Sequence, residues 1–266
     1  MSESEKGQMA RSAAEVYEEF FVPTLLQEWA GLVTEAARIQ PDQRVLDVAC
    51  GTGVLARTVA ERVGPHGMVV GVDINEGMLA VARRKAPTLE WWQGRAEALP
   101  FEANDFDAVV SQFGLMFFAD RRIAIQEMLR VLRPGGRLAV AVWASVENFP
   151  GYAELANLIQ RFYGDQVVEE FLAPFSLGAP ELLAVLFAAA GVTKAKVTRQ
   201  AGTVRFPSLR DWLWIEVKEW LLGDRLDEAQ FERLLTEAEE VLRPFVTAEG
   251  TVVLRTPAYI VTATKS

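Results

Sequence analysis

One cysteine and one histidine are all that 266 residues contain of the commonest nucleophile and metal-ligand types. With Cys50 alone, no intrachain disulfide and no cysteine zinc cluster can form, which suits a reducing compartment. With His66 alone, no histidine pair and no His/Asp metal cluster is expected. A basic surplus is missing too: 27 Lys and Arg stand against 36 Asp and Glu, a formal charge of −9. Enzymes of nucleic acids present a basic face to phosphates, so no nucleic-acid partner is expected. The clusters Arg83-Arg84-Lys85 and Arg121-Arg122 read as solvated helix ends. No run approaches the roughly twenty apolar residues of a membrane span. Met1 to Lys6 lacks the apolar core of a signal peptide. These absences predict a soluble, cytoplasmic protein without repeats.

Half the residues are hydrophobic, enough for one α/β core with an appended element. Residues 1–11 read as a disordered tail. Val16, Tyr17, Phe20 and Phe21 then recur at helical spacing, and Pro23 separates them from a second amphipathic helix carrying Leu25, Trp29 and Leu32. From residue 44 strands alternate with helices: strands at 44–49, 68–73, 89–93, 106–111 and 137–143, with helices at 53–63, 75–85 and 120–132. Gly64-Pro65-His66-Gly67 and Arg133-Pro134-Gly135-Gly136 are the turns between them. Such alternation predicts a parallel sheet with helices on both faces.

The most informative stretch is Val45-Leu46-Asp47-Val48-Ala49-Cys50-Gly51-Thr52-Gly53. A buried strand breaks into a two-glycine turn and runs into a helix, an arrangement that brings backbone N–H groups to a nucleotide. Gly51 to Ala56 also satisfies the dinucleotide fingerprint. Asp47 argues against a pyrophosphate there, because a fixed carboxylate repels phosphate and favours an amine or a sulfonium. Asp73 ends the second strand, where an acidic side chain accepts from ribose hydroxyls; both dinucleotides and S-adenosylmethionine have them.

Val45 to Gly53 resembles motif I of the class I S-adenosylmethionine-dependent methyltransferases, and Gly71-Val72-Asp73-Ile74 resembles their motif II. Gly94 to Phe101 is similar to the segment flanking the adenine, with Arg95 where the family has Asp. Phe106 to Gln112 and Leu129 to Leu138 resemble the fourth strand and the helix-turn-strand after it. The ubiquinone/menaquinone-biosynthesis branch is most similar, strongly over residues 12–145. The resemblance implies a doubly wound, seven-stranded, mostly parallel sheet whose last strand is antiparallel. Residues 12–145 would then hold the N-terminal helices and cofactor core. Residues 146–266 would complete the sheet and add helical cap insertions at about 146–175 and 207–250, with strands near 193–205 and 257–264.

Ligands of an open α/β sheet bind beyond the carboxyl ends of its strands, which gathers one set of residues. Backbone around Ala49, Gly51, Thr52 and Gly53 faces the methionine end of the cofactor, and Asp47 balances its positive charge. Asp73 takes the ribose, Ile74 and Met78 pack on adenine, and Gly94, Ala96 and Glu97 edge it, unless Glu97 is a solvent-facing loop residue. Gln112 and Phe113 end strand four near the methionine or the acceptor. Tyr17 enters by resemblance, as the aromatic hydroxyl of a helix folded over the cofactor, against a plain core-edge tyrosine. Cys50 reads as a packing residue, and His66 falls at the opposite sheet edge. No general base is marked.

The expected activity is methyl transfer to a small, apolar or aromatic acceptor at O, N or C. Strand four lacks the Asn/Asp-Pro-Pro-Tyr type of segment of amino-methyltransferases of adenine and glutamine. The alternatives are an NAD(P)-binding oxidoreductase, for which no Tyr-x-x-x-Lys or histidine pair exists, and a non-catalytic S-adenosylmethionine-binding module. The segment 211–222 contains three of the seven tryptophans. It reads as a wall of the acceptor pocket, a homodimer contact, or packing against the sheet.

Overall fold

The computed structural model describes residues 13–266, so the tail expected at 1–11 lies outside the described residues. Its centre is a seven-stranded sheet in the order β3-β2-β1-β4-β5-β9-β6. The parallel strands are β1 (Arg44–Val48), β2 (Met68–Asp73), β3 (Glu90–Gln93), β4 (Phe106–Gln112) and β5 (Leu132–Trp143). β6 (Lys196–Gln200) and β9 (Ala258–Thr264) finish the sheet, β9 running antiparallel to both β5 and β6. Val45, Leu46, Val48, Val109 and Val110 are fully buried, as strands covered on both faces require.

Three local expectations are corrected. The strand at 193–205 is two strands. At Gly202 the backbone packs so closely on Trp29 that a Cβ would fall 2.6 Å from its ring, and Gly202 accepts from the Thr256 N–H at 2.9 Å. The chain leaves the large sheet there. β7 (Thr203–Phe206) instead pairs with β8 (Val252–Arg255), a strand the sequence reading missed. The turn at 133–136 is a bulge within β5, because the register steps from Phe106 opposite Leu132 to Ala108 opposite Arg137.

Pro23 does not divide the N-terminal helices. Residues 13–36 run on as one helix whose middle, Tyr17–Leu26, is widened to π turns. The Gln27 N–H reaches the Val22 carbonyl, five residues back. Proline lacks an N–H and crowds the preceding turn, and a wider turn relieves both faults without ending the helix. The same widening recurs at Trp214–Leu222, after Leu209–Leu213, where the Gly223 N–H reaches the Lys218 carbonyl.

Helices Pro150–Tyr163, Asp165–Leu172, 209–222 and Glu228–Val241 pack together beside the carboxyl ends of β4 and β5. Among the described residues no single helix is long and apolar enough to cross a membrane.

Candidate active site

β1 delivers Asp47 to the carboxyl edge of the sheet, and the chain then turns sharply. Ala49 takes φ +58°, Gly51 +54° and Gly53 +87°. Ala49 is the costly one, because its Cβ crowds a left-handed backbone. Gly114 makes room for that methyl; a Cβ on Gly114 would sit 2.6 Å from it. The helix Val54–Val63 starts at Gly53 with no side-chain cap, leaving its first N–H groups available.

Gly53 is required by a neighbour. A Cβ there would stand 2.4 Å from the Trp91 ring, and one on Gly71 would stand 2.5 Å from the same ring. Trp91 of β3 thus lies against β2 and the glycine turn, its indole N–H donating to the Ala86 carbonyl at 3.0 Å. Gly51 faces another way, toward Tyr17, whose ring and hydroxyl lie 3.7 and 3.9 Å from where its Cβ would be. Arg57 ties the next residue of that helix to the turn, donating to the Thr52 carbonyl at 2.6 Å and pairing with Glu18 at 3.0 Å.

The electrostatics at this edge are unusual. Asp47 is 1% exposed, and among the described residues no side chain pairs with its carboxylate, whose nearest donor is the Ala56 backbone N–H, outside normal hydrogen-bond geometry. Burial pushes its pKa well above the usual carboxylate range, opposed by that N–H and helped by repulsion from Asp73. Thr52 Oγ1, Ser111 Oγ and Gln112 Oε1 are also buried and unpartnered. Gln112 donates through Nε2 to the Leu26 carbonyl at 3.0 Å. Four unsatisfied polar groups at the ends of two adjacent strands suit a polar ligand. Asp73 differs, since it accepts from the Gly51 and Asn75 N–H groups, both at 2.8 Å. It therefore secures the glycine turn and the start of the next helix, and burial still raises its pKa. The Cys50 thiol is pushed up by burial and by Asp47 and Asp73, which leaves it protonated and inert.

The remaining predicted residues divide. Ile74 is exposed and Met78 half-buried beside Asp73. Gly94 approaches Val72 of β2, and Ala96 is buried. Glu97 is neither solvent-facing nor free: it accepts from the Ala119 and Asp120 N–H groups at 2.8 and 3.3 Å and pairs with Arg95 at 3.5 Å. It clamps the loop after β4. Phe113 stacks on Trp143, with ring centroids 3.6 Å apart. His66 is exposed in the turn before β2, at the opposite edge.

Beside the glycine turn opens an aromatic cavity, with Tyr17 shared between the two and Phe113 in the cavity wall. Phe21, Trp143, Phe149 and Phe175 contribute to its wall. Within this lining stands Glu216, hydrogen-bonded at 2.6 Å by the Tyr152 hydroxyl. Glu216 is 6% exposed, and burial lifts its pKa to about 7. Neither residue is marked in the sequence, because Glu216 sits among three tryptophans in a segment whose pattern speaks only of apolar contact. Those tryptophans have three fates. Trp212 is wholly buried against Tyr152, Trp214 packs edge-on to Phe231, and only Trp220, 44% exposed, lines the cavity.

Residues 45–136 match the family model described as a methyltransferase domain. Over 140 residues the chain is 39% identical to the demethylmenaquinone methyltransferase of Listeria welshimeri, covering 51% of this chain and 59% of that protein. Residues 45–136 are a class I methyltransferase domain. The domain is of the S-adenosylmethionine-dependent type, and the chain spans about half to three fifths of the length of the curated relatives it matches. In fold, the YcgJ protein of Bacillus subtilis superposes with a TM-score of 0.61 at 20% identity, over 90% of this chain and 98% of that one. The [4+2]-cyclase SpnF does so at 0.55 and 22% identity, over 90% and 80%. Fold likeness of this degree leaves the reaction open.

The residues of the methyltransferase domain fit its cofactor class. An unpaired buried carboxylate suits a cationic ligand, and the uncapped helix start suits a carboxylate.

Proposed function

We propose that this chain transfers the methyl group of S-adenosylmethionine to a small aromatic acceptor held in the cavity beside the glycine turn. The observation that carries the reading is the junction itself: unsatisfied Asp47, Thr52, Ser111 and Gln112 on one side of Tyr17 and Phe113, aromatic rings on the other. Asp47 offsets the ligand's positive charge, Asp73 has lone pairs left for ribose hydroxyls, and the turn at 49–53 takes the methionine end. Ile74, Met78, Gly94 and Ala96 border the adenine. The cofactor supplies an electrophilic methyl carbon. The chain's task is to align an acceptor with it and keep water out, and orientation of this kind contributes up to about 7–11 kcal/mol. The relative's printed name supports a quinone-type ring as acceptor, in keeping with the aromatic lining. An NAD(P) reading is disfavoured by Asp47, whose charge would face a pyrophosphate.

Calorimetry with S-adenosylhomocysteine and NADH tests the choice of ligand. The homocysteine product should bind and NADH should not; the reverse order would overturn the reading. If labelled S-adenosylmethionine bound but gave no transfer to naphthol, hydroquinone or naphthohydroquinone acceptors, a non-methylating reaction on this fold would take its place.

A further inference from the structure

We propose that Glu216 is the proton acceptor for a hydroxyl on the acceptor's ring, oriented by the Tyr152 hydroxyl, so that the substrate is a phenol or quinol rather than a plain hydrocarbon. The inference rests on the methyltransferase reading and adds to it a catalytic residue and the acceptor hydroxyl on which that residue acts. A carboxylate in an aromatic cavity is costly unless something needs it there. Among the described residues the Glu216 carboxylate has one hydrogen-bond partner, Tyr152 Oη, which donates to Oε1. The two sit 64 positions apart in the chain and on different helices. Tyr152 lies on Pro150–Tyr163, and Glu216 lies in the π-turned stretch Trp214–Leu222, a distortion frequent at functional sites.

The surroundings keep the carboxylate uncompensated. From the N-terminal helix Tyr17 faces the cavity, and from Asp165–Leu172 Glu170 reaches its rim, where Arg225 engages it at 3.2 Å. Thr256 lines the cavity beyond β8, and its Oγ1 has no partner. Among the described residues no lysine or arginine lines the cavity. Burial is what raises the Glu216 pKa to about 7, while the Tyr152 hydrogen bond opposes the rise, which suits a base working near neutrality. Burial and the adjoining Glu216 raise the Tyr152 pKa well above its ordinary value, so Tyr152 stays a donor.

The step balances without a further reagent. The acceptor's O–H bond breaks and its proton passes to a Glu216 carboxylate oxygen. An electron pair of the resulting oxyanion, from oxygen or the ring carbon beside it, forms the new bond to the methyl carbon. The bond from that carbon to sulfur breaks and leaves its pair on sulfur. Attack from carbon is completed by loss of the ring proton to water. Glu216 then returns its proton to solvent.

The test compares wild type, Glu216→Gln and Tyr152→Phe as full chains, with S-adenosylhomocysteine present, using 2-naphthol and naphthalene as probes and tryptophan fluorescence as the readout. Wild type should bind 2-naphthol about tenfold more tightly than naphthalene, with a preference that grows as pH rises through about 7. Glu216→Gln should lose that pH dependence and any methyl transfer to 2-naphthol should fall about 100-fold or more. Tyr152→Phe should keep the dependence and shift its midpoint upward. Both variants should hold S-adenosylhomocysteine as wild type does. Wild type that holds S-adenosylhomocysteine but binds the two probes alike, or a Glu216→Gln chain with an unchanged pH profile, overturns the proposal and spares the methyl-donor reading. Loss of S-adenosylhomocysteine binding by wild type sinks that reading instead.

Discussion

Asp47 and Gly53 lie six residues apart and answer to different pressures. Gly53 is fixed by packing: Trp91 occupies the space a side chain would need, and the backbone is left-handed as well. Asp47 is retained against stability. A buried carboxylate with a raised pKa binds its proton more tightly folded than unfolded, so it destabilises the fold increasingly as pH rises above its unfolded value of 3.8. Asp47→Asn should therefore melt higher than wild type at pH 7 without ligand, with the gap closing below about pH 4. The same substitution should weaken S-adenosylhomocysteine binding. Differential scanning fluorimetry with and without the ligand checks both; an unliganded variant that melts lower at pH 7 would remove Asp47's charge from the account. The acidic residue before the glycines was legible from its place at a strand end. Trp91's part was not, because nothing in local sequence reveals which ring will cross a glycine two strands away.

Among elements, the two π-turned helices are where sequence and structure part. The apolar spacing at 13–36 and 209–222 reads as ordinary 3.6-residue periodicity, and wider turns rotate each side chain away from the face such spacing assigns. Within 211–222, a segment whose sequence leaves pocket wall, homodimer contact and sheet packing open, Trp214 packs on Phe231 and Trp220 reaches the cavity beside Tyr17 and Phe21. Trp220→Ala should change which acceptors are bound and leave the melting temperature within a few degrees. Trp214→Ala should lower stability by about 2–4 kcal/mol, since it empties an aromatic contact within the helical layer. Denaturant melts set beside acceptor binding would separate the two, and equal stability losses would count against the assignment of Trp220 to the cavity. The five parallel strands were legible because glycine-containing turns and helices punctuate them. β8 was hidden, since Val252–Arg255 gains meaning only from its pairing with β7, a contact across some fifty residues.

At the scale of the molecule, Asp47, Asp73 and Glu216 all have pKa values raised first by burial. Each makes the native state bind more protons than the unfolded chain between the ordinary carboxylate pKa and its own raised value. Stability from these groups is greatest in mild acid and falls as pH climbs, for Glu216 through the interval from 4.5 to about 7. Glu127 has the opposite sign, its pKa lowered by the hydrogen bond from Arg130, but it is partly exposed and weighs less. Glu216 alone should account for about 3 kcal/mol of the stability that unliganded wild type loses between pH 5 and 8, and Glu216→Gln should lose clearly less than wild type. Urea melts across that range measure both, and parallel curves would place the dependence elsewhere.

The position of β9 bears on how the chain is made. It lies between β5 and β6 and is translated almost sixty residues after β6 ends. Until residues 258–264 leave the ribosome, β6 has no neighbour in the large sheet and β5 presents a bare row of N–H and C=O groups. A nascent chain with the cofactor half folded thus displays a long apolar edge for seconds, the kind of edge that recruits another strand. Slowed translation between residues 200 and 258 would lengthen that interval, and aggregation would respond to codon choice there while the finished protein stayed unchanged.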